Sequence, residues 1–370
     1  MPEIDQQKKE AFARKMSAVL NAGALNLAMG IGYRLGLFEA LDEIGQPARA
    51  EEIAARAGLN ARYVREWLGV MVCGEVIEIS TGQDGQDLFV LPGEHADMIT
   101  TRAGNANMGV YTQEIPLLTH LVFEDIVQGF QSGRGVSYDK YPRFYDFMGQ
   151  LAEAKHREVL VDSFLPAVDN GNMVKRLQKG IRVCDLGCAQ GTALLLMAEA
   201  YPNSHFVGID ISESEISEAR TRAGNLPNVR FAVQDAAELK TSEAWAEQFD
   251  YVTAFDAVHD QTRPLEALEG VAAMLKQGGS FSMVDIAASS QMSENQDHPM
   301  GPFLYTVSLM HCMPVGLMDG GAGLGMMWGQ EKAVDMLKQA GFSRVEVQNM
   351  DDDPFNAHFF CTKADVPAEW

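Results

Sequence analysis

Residues from Ile181 onward alternate between short apolar runs and helical patterns, and this alternation leaves few possible architectures. Strands that alternate with helices form a parallel sheet with helices on both faces. The seven apolar runs are Ile181–Cys184, His205–Ile209, Val229–Val233, Tyr251–Ala254, Ser280–Val284, Val345–Val347 and His358–Thr362. The helical patterns between them are Ala189–Ala200, Glu213–Ala223, Pro264–Leu275 and Gln330–Ala340. The sequence therefore predicts a seven-stranded α/β domain over residues 173–370.

The first hundred residues follow a different, mainly helical pattern. Met16–Leu41 has apolar residues at three- and four-residue spacing, and two shorter helices are predicted at Ala50–Gly58 and Ala61–Cys73. The apolar runs Val76–Ile79 and Leu88–Leu91, on either side of Gly82–Gly85, then predict a β-hairpin. Two short helices followed by a hairpin indicate a winged helix, which we place within residues 1–100.

A winged helix can bind DNA, but the charges of this one argue against it. Its wing carries the acidic residues Glu75, Glu78, Asp84 and Asp87 and no lysine or arginine. The whole chain has 29 basic and 51 acidic residues, a net charge of -22, which repels phosphate backbones and anionic lipids. We therefore expect a packing or dimerisation module, with neither nucleic acid nor a membrane as partner.

The five cysteines are scattered and odd in number, which favours a reducing compartment over a disulfide framework. Cys184 and Cys188 could suggest a metal pair, but no second Cys/His pair lies nearby in sequence, so we expect no metal there. The polar segment Met1–Lys15 does not have the layout of a signal peptide. The expected location is the cytoplasm.

A glycine-rich turn follows the first predicted strand of the α/β domain. Its sequence runs from Asp185 through Gly187, Ala189 and Gly191 into a helix, and glycines there allow a sharp turn and close approach of a ligand. Alone this is weak evidence, because nicotinamide-binding folds use similar turns. Three features follow in order: Asp210 ends the second strand, Asp235 follows the third, and Leu275-Lys276-Gln277-Gly278-Gly279 precedes the fifth.

Taken together, this ordered set resembles the class I S-adenosylmethionine-dependent methyltransferases. The resemblance implies a Rossmann-like, seven-stranded methyltransferase sheet and S-adenosylmethionine as cofactor. It implies that Asp185 and the turn Gly187–Gly191 lie along the methionine and ribose, that Asp210 binds the ribose diol, and that Asp235 binds the adenine amine. Ala189 departs from the pattern, because the family usually has glycine there; one added methyl is expected to shift the turn slightly.

The loop after the fourth strand contains Asp256, a candidate cofactor-binding residue, and then His259 and Asp260. The resemblance implies that this loop faces the transferred methyl group. The His-Asp pair resembles that of winged-helix small-molecule O-methyltransferases, in which the histidine is the general base. Those enzymes also share the N-terminal helical domain, so the resemblance implies a homodimer formed through these helices. The plant enzymes commonly have tryptophan where Gln261 stands. The plainer alternative is that His259 caps the next helix or anchors the loop.

Two segments are candidates for binding the methyl acceptor. One is the aromatic cluster of the predicted helical linker, residues 101–172, which we interpret first as core and second as a wall covering the site. The other is Asp297–Trp328, between the fifth and sixth strands, with methionines and a glycine-rich run that suggests a mobile lid or a close-packed turn. The candidate substrate residues are Tyr141, Tyr145, Tyr305, His311 and Trp328.

The leading hypothesis is methyl transfer to an oxygen or sulfur nucleophile of a small molecule, with His259 as base or orienting group. A hydroxyl needs a base near neutral pH, a thiol ionises more easily, and a thioether needs no base. A thiol or thioether S-methyltransferase without a general base is therefore one alternative. A non-catalytic, regulatory S-adenosylmethionine-binding protein is another, and a nucleic-acid methyltransferase is remote.

Overall fold

The computed structural model describes residues 4–363, which form fifteen α-helices, nine strands and several single turns of 3₁₀ helix. The α-helices are α1 (Gln6–Arg34), α2 (Leu37–Ile44), α3 (Ala50–Ala57), α4 (Ala61–Cys73), α5 (Gly93–Ile99), α6 (Glu114–Ser132), α7 (Pro142–Val159), α8 (Leu165–Ala167), α9 (Asn172–Lys179), α10 (Thr192–Ala200), α11 (Glu213–Ala223), α12 (Pro264–Met274), α13 (Gly301–Met310), α14 (Cys312–Gly316) and α15 (Gln330–Gln339). The strands are β1 (Glu78–Thr81), β2 (Asp87–Val90), β3 (Arg182–Leu186), β4 (His205–Asp210), β5 (Val229–Val233), β6 (Phe249–Phe255), β7 (Leu275–Ile286), β8 (Phe342–Asn349) and β9 (Asn356–Lys363).

The chain divides within α6 into two compact units, Met1–His120 and Leu121–Trp370. Residues 121–172 of the predicted linker thus belong to the same unit as the α/β sheet. No helix within residues 4–363 combines the length and the apolar character needed to cross a membrane.

The first unit has the predicted winged-helix arrangement. Helix α3 ends at Gly58, whose φ of 68° is the left-handed conformation that glycine adopts at a helix end. Helix α4 buries one face, which includes Trp67 and Leu68. Strands β1 and β2 pair antiparallel, with Glu78 opposite Val90. The predicted hairpin is confirmed, although each strand is shifted by one or two residues.

The second unit is built on a seven-stranded sheet with the order β5-β4-β3-β6-β7-β9-β8. Strands β3–β7 pair in parallel, as predicted, and β8 runs in the same direction, but β9 runs antiparallel to both β7 and β8. The expectation of an all-parallel sheet is therefore wrong at this edge. The physical reason is the short connection between β8 and β9, which forms a hairpin and leaves no room for a crossover helix.

Two boundaries also differ from the predictions. Helix α10 begins at Thr192 rather than Ala189, because Ala189 and Gly191 have φ values of 44° and 77°, outside the helical region. Strand β7 begins at Leu275 rather than Ser280, and its pairing with β6 is interrupted by an irregularity. The first difference leaves Ala189 and Gly191 outside the helix, whereas the second places Gly278 and Gly279 inside a strand.

Helices cover both faces of the sheet. Along β3, Val183 packs in one apolar cluster with helices α9, α10 and α11, while Cys184 and Leu186 pack in another with α12 and α15. This alternation follows from the two-residue period of a strand. The faces are thereby covered, and the carboxyl ends of the parallel strands are left for a site.

Candidate functional site

Acidic side chains gather at the carboxyl ends of four parallel strands. Asp185 lies near the end of β3, Asp210 ends β4, Asp256 follows β6, and Asp285 lies one residue before the end of β7. Sheets of this kind bind ligands beyond these ends. Three of the four were predicted, and Asp285 was not.

The turn between β3 and α10 is held in left-handed backbone conformations. Gly187 has φ 69°, and a Cβ built there would lie 2.6 Å from the Cβ of Ala257. Ala189 also has a positive φ, 44°, in the position where the resembled family has glycine. The chain keeps this turn even though alanine pays a steric cost in that region.

Asp210 fixes the turn. Its Oδ2 accepts a hydrogen bond from the Ala189 backbone N–H at 2.9 Å, and its Oδ1 accepts one from the Ser212 N–H at 2.8 Å. Burial raises the pKa of Asp210, and these N–H groups oppose that shift. Each oxygen keeps a further lone pair with which to accept a hydrogen bond.

Asp185 is buried and accepts a 2.7 Å hydrogen bond from the Thr253 hydroxyl on the neighbouring strand β6. Burial raises the pKa of Asp185 to about 7, against the opposing effect of that hydrogen bond. A nearby cation would stabilise the ionised form of this buried carboxyl group.

Asp235 follows β5 and caps a 3₁₀ turn by accepting a hydrogen bond from the Ala237 N–H at 2.9 Å. Its other oxygen pairs with the Arg263 guanidinium at 2.7 Å, and Arg263 also pairs with Glu238. An adenine amine would share this carboxylate with an arginine.

His259 is almost completely buried and is held at both ring nitrogens by acidic groups. Its Nδ1 lies 2.7 Å from Oδ1 of Asp285, and its Nε2 lies 3.3 Å from Oδ1 of Asp260. Burial opposes the charged imidazole, but the carboxylates of Asp285 and Asp260 outweigh it and hold the pKa of His259 well above its usual value. Asp285 also accepts a hydrogen bond from the Trp328 indole N–H at 3.1 Å. Trp328, Asp285 and His259 are therefore connected in one hydrogen-bonded series.

Asp260 connects His259 to a second histidine. Nδ1 of His311 lies 4.0 Å from Oδ2 of Asp260 and 3.5 Å from Sγ of Cys312. Burial lowers the pKa of His311, and burial raises the pKa of Cys312 to about 12.

Aromatic rings of α7 surround His311. The Tyr141 and Phe144 rings lie 4.8 Å and 4.6 Å from it, and the Tyr145 hydroxyl lies 3.4 Å from its Nε2. Tyr141 is fully buried and donates to the Met310 carbonyl at 2.9 Å, whereas Tyr145 is half-buried. The core interpretation therefore suits Tyr141 and Phe144, while Tyr145 has surface left for a ligand.

A buried polar network adjoins this cluster through Asp256. Asp256 has a φ of 49°, and it accepts a hydrogen bond from the Asn356 amide at 3.1 Å. Lys155 pairs with Asp353, which accepts from the same amide at 2.9 Å. Burial raises the pKa of Asp256 to about 6, partly offset by the Lys155 charge.

The structure does not join every predicted residue to this cluster. The Tyr305 hydroxyl accepts a hydrogen bond from Asn295 at 3.1 Å, and its ring packs with an apolar group that includes Ile286 and Met327. The glycine-rich run is close-packed: a Cβ at Gly321 would lie 2.3 Å from the Gly316 carbonyl oxygen. Of the two interpretations of that run, the close-packed turn fits the structure.

Sequence reasoning missed Asp285 and Lys155, and it did not single out Cys312 within the segment Asp297–Trp328. Asp285 could have been found, because it stands at the carboxyl end of a predicted parallel strand, where ligand-binding groups collect. Lys155 and Cys312 lie in helical segments with no motif around them, so only the fold brings them to the site.

The carboxylate groups at the strand ends suit S-adenosylmethionine, a cation whose ribose diol donates hydrogen bonds. Asp185 is a buried and Asp210 a half-buried carboxylate with accepting capacity left, and one oxygen of Asp256 has no hydrogen-bond partner within residues 4–363. Buried acceptors of this kind need donors or a cation.

Comparison with known families gives one match within each of the two compact units. Residues 177–351 match the family described as "Methyltransferase domain", and residues 23–102 match the "Rv2258c-like winged HTH domain".

Individual relatives are distant. The chain is 30% identical over 136 residues to the uncharacterized protein RP789 of Rickettsia prowazekii, which covers 34% of this chain and only 22% of RP789. It is 25% identical over 197 residues to a demethylmenaquinone methyltransferase of Listeria welshimeri, covering 50% of this chain and 79% of that enzyme. Human N-acetylserotonin methyltransferase, solved in complex with SAM, is similar in fold, with a TM-score of 0.65, 15% identity, and coverage of 98% of this chain and 99% of that one.

The matched domains, the strand order and the acidic edge agree with one another. The chain carries a methyltransferase domain over residues 177–351 and a winged-helix domain over residues 23–102, and its fold is that of S-adenosylmethionine-dependent methyltransferases.

Proposed function

We propose that the chain transfers the methyl group of S-adenosylmethionine to an oxygen or sulfur nucleophile of a small molecule, beside His259. The observation that carries this proposal is the contact between the two halves of the site. Ala257, two residues before His259, lies against Gly187 of the cofactor turn. An acceptor bound at His259 would therefore lie close to a cofactor bound on that turn.

S-adenosylmethionine supplies a methyl carbon activated by its sulfonium, so the chain mainly has to align the acceptor and manage its proton. Asp285 and Asp260 fix the orientation of the His259 ring from its two sides. Tyr145 and His311 add polar groups at the same place, and the buried surroundings exclude water. His259 is the candidate base or orienting group, and Asp260 its neighbour toward the acceptor.

S-methylation of a thiol or thioether is the second candidate, and one observation favours it. Both ring nitrogens of His259 already face carboxylates, so an acceptor hydroxyl would have to compete with a carboxylate for either nitrogen. A thioether needs no base, and a thiol ionises far more readily than an alcohol. In that reaction His259 orients the acceptor instead of removing its proton.

The test is cofactor turnover with panels of phenols, alcohols, thiols and thioethers, read out as S-adenosylhomocysteine. We expect His259→Ala to lower turnover by about 10²–10⁴-fold while the Kd for S-adenosylmethionine stays unchanged. His205→Ala, at the opposite end of β4, is the matched control. Unchanged turnover in His259→Ala would contradict the proposed role, and the best acceptor class separates the two candidates.

A homodimer is part of the proposal. Helix α1 exposes large apolar side chains along its length; for example, Phe12 is 61% and Leu20 69% exposed. Such side chains on one helix are commonly covered by a partner. Light scattering should give twice the chain mass for the wild type and a lower mass for Leu20→Glu, while a monomeric wild type would contradict the dimer.

A further inference from the structure

Three potential metal ligands meet at the acceptor side of the site. His259, Asp260 and Cys312 each offer one ligand atom, and these atoms all lie within 4.8 Å of one another. The three come from two separate parts of the chain, the loop after β6 and the start of α14, so the fold brings them together. Imidazole, carboxylate and thiolate are the ligands that Zn²⁺ takes in proteins.

We propose that His259, Asp260 and Cys312 form a binding site for a divalent transition-metal cation of the Zn²⁺ type. This metal site adds detail to the proposed function, and it depends on that function only for the identity of the acceptor. The binding of the metal itself can be tested separately.

The spacing of His259 and Asp260 is that of two ligands on one ion. Nε2 of His259 and Oδ1 of Asp260 are 3.3 Å apart, yet Oδ1 is buried and makes no hydrogen bond to any residue within 4–363. Two atoms that each lie about 2.0–2.2 Å from a tetrahedral Zn²⁺ are separated by roughly 3.3–3.6 Å. An ion between them would satisfy the buried oxygen, which otherwise carries a desolvation cost.

The opposite side of His259 has the support that metal-binding histidines usually have. Nδ1 lies 2.7 Å from Asp285, which directs Nε2 toward Asp260 and Cys312. A carboxylate behind a ligating histidine fixes its tautomer and its ring orientation. Trp328 holds Asp285 in turn, so the support is rigid.

Three protein ligands leave a fourth position on the ion, as in catalytic zinc sites. His311 lies 3.5 Å from the sulfur of Cys312, and the Tyr145 hydroxyl lies beside His311, so both are near these ligands. A thiol or hydroxyl acceptor bound at the fourth position would release its proton to water and remain as the metal-bound anion. The anion then forms the new bond to the methyl carbon while the carbon–sulfonium bond breaks, leaving S-adenosylhomocysteine and the methylated acceptor. Because a thioether has no such proton, this site favours thiols and alcohols as acceptors.

Metal uptake tests the site directly. The purified full-length protein is stripped with a chelator, incubated with Zn²⁺, freed of excess metal and analysed for metal content. We expect about one Zn²⁺ per chain in the wild type and in the control Cys361→Ser, a buried cysteine of β9 away from the site. Cys312→Ser and Asp260→Asn should each lose most of it, and Asp285→Asn should weaken binding about 10–100-fold.

Co²⁺ gives a second readout that does not depend on activity. The wild type and Cys361→Ser should show a thiolate-to-Co²⁺ charge-transfer band, and Cys312→Ser should lose it while keeping its circular dichroism spectrum and its S-adenosylmethionine affinity. Uptake well below one ion per chain, or uptake and spectra equal in wild type, Cys312→Ser and Asp260→Asn, would overturn the inference. If turnover persists in metal-free protein, only this inference fails; if His259→Ala is fully active, the proposed function fails.

Discussion

Nδ1 of His259 lies 2.7 Å from Oδ1 of Asp285, and the same oxygen accepts a hydrogen bond from Trp328. This chain of three groups joins the loop after β6, the end of β7 and the segment before α15. It explains how a histidine on a loop is held in one orientation at the carboxyl edge of the sheet.

Asp285→Asn tests that relationship. The amide retains the shape of the side chain but no longer fixes the imidazole in one tautomer, so we expect kcat to fall at least tenfold. The Kd for S-adenosylmethionine should change little, because Asp285 lies on the acceptor side. Asp335→Asn, an exposed residue of α15, is the control, and a kcat equal to that of the control would refute the orienting role.

Ala189→Gly tests the strain in the cofactor turn. Alanine at φ 44° lies in the left-handed region, where glycine is favoured, so we expect the variant to be more stable by about 0.5–1 kcal/mol. Urea unfolding monitored by circular dichroism measures the difference. Ala193→Gly in the adjacent helix α10 should have the opposite effect, since glycine weakens a helix interior. A destabilised Ala189→Gly would show that the methyl group makes contacts worth more than the strain.

Asp210→Asn tests the ribose site. The carboxylate holds the turn through Ala189 and keeps lone pairs for a ligand, and hydrogen bonds to charged groups contribute about 1.5–3 kcal/mol. We therefore expect the Kd for S-adenosylmethionine to rise about 10–150-fold in titration calorimetry. Asp235→Asn should have a smaller effect, because Arg263 already engages that carboxylate. Equal losses in the two variants would contradict this ranking.

Asp185 predicts a pH dependence of cofactor binding. Its folded-state pKa of about 7 exceeds the ordinary value of 3.8, so folding favours the protonated form, and the free energy of unfolding falls as the pH rises from about 4 to 7. A bound cation favours the ionised form instead. The affinity for S-adenosylmethionine should therefore increase from pH 6 to pH 8 and then level off, with proton release on binding.

Calorimetry of wild type and Asp185→Asn in two buffers of different ionisation enthalpy separates this proton from the others. The increase in affinity and the extra proton should both be absent in Asp185→Asn. If both proteins show the same pH profile, another group titrates.

The sheet and its acidic carboxyl edge could be predicted because their signals are local. Glycines, strand-end aspartates and alternating apolar runs are consecutive in sequence, and Asp185, Asp210 and Asp256 are found at the predicted edge. The antiparallel β9 was not predicted, since the direction of a strand depends on the length of its connection and not on its own residues.

The acceptor side could be predicted only in part. His259 and Asp260 stand out beside a strand end, whereas Cys312 and Lys155 reach the site from helices distant in sequence. Tyr305 shows the reverse case, because an aromatic residue in the insertion packs with apolar side chains and Asn295. Composition identified the segment but not which side chains turn toward His259.

The transfer of a labelled methyl group tests most directly whether the enzyme methylates a small-molecule acceptor at His259. The full-length enzyme is incubated with S-adenosylmethionine that carries a trideuterated methyl group and with the best acceptor from the panel, and the products are analysed by mass spectrometry. We expect the wild type to form a trideuteromethylated acceptor in equal amount to S-adenosylhomocysteine, and His259→Ala to form at least a hundredfold less. Tight cofactor binding without any labelled product across the panel, or equal product from His259→Ala, would contradict it.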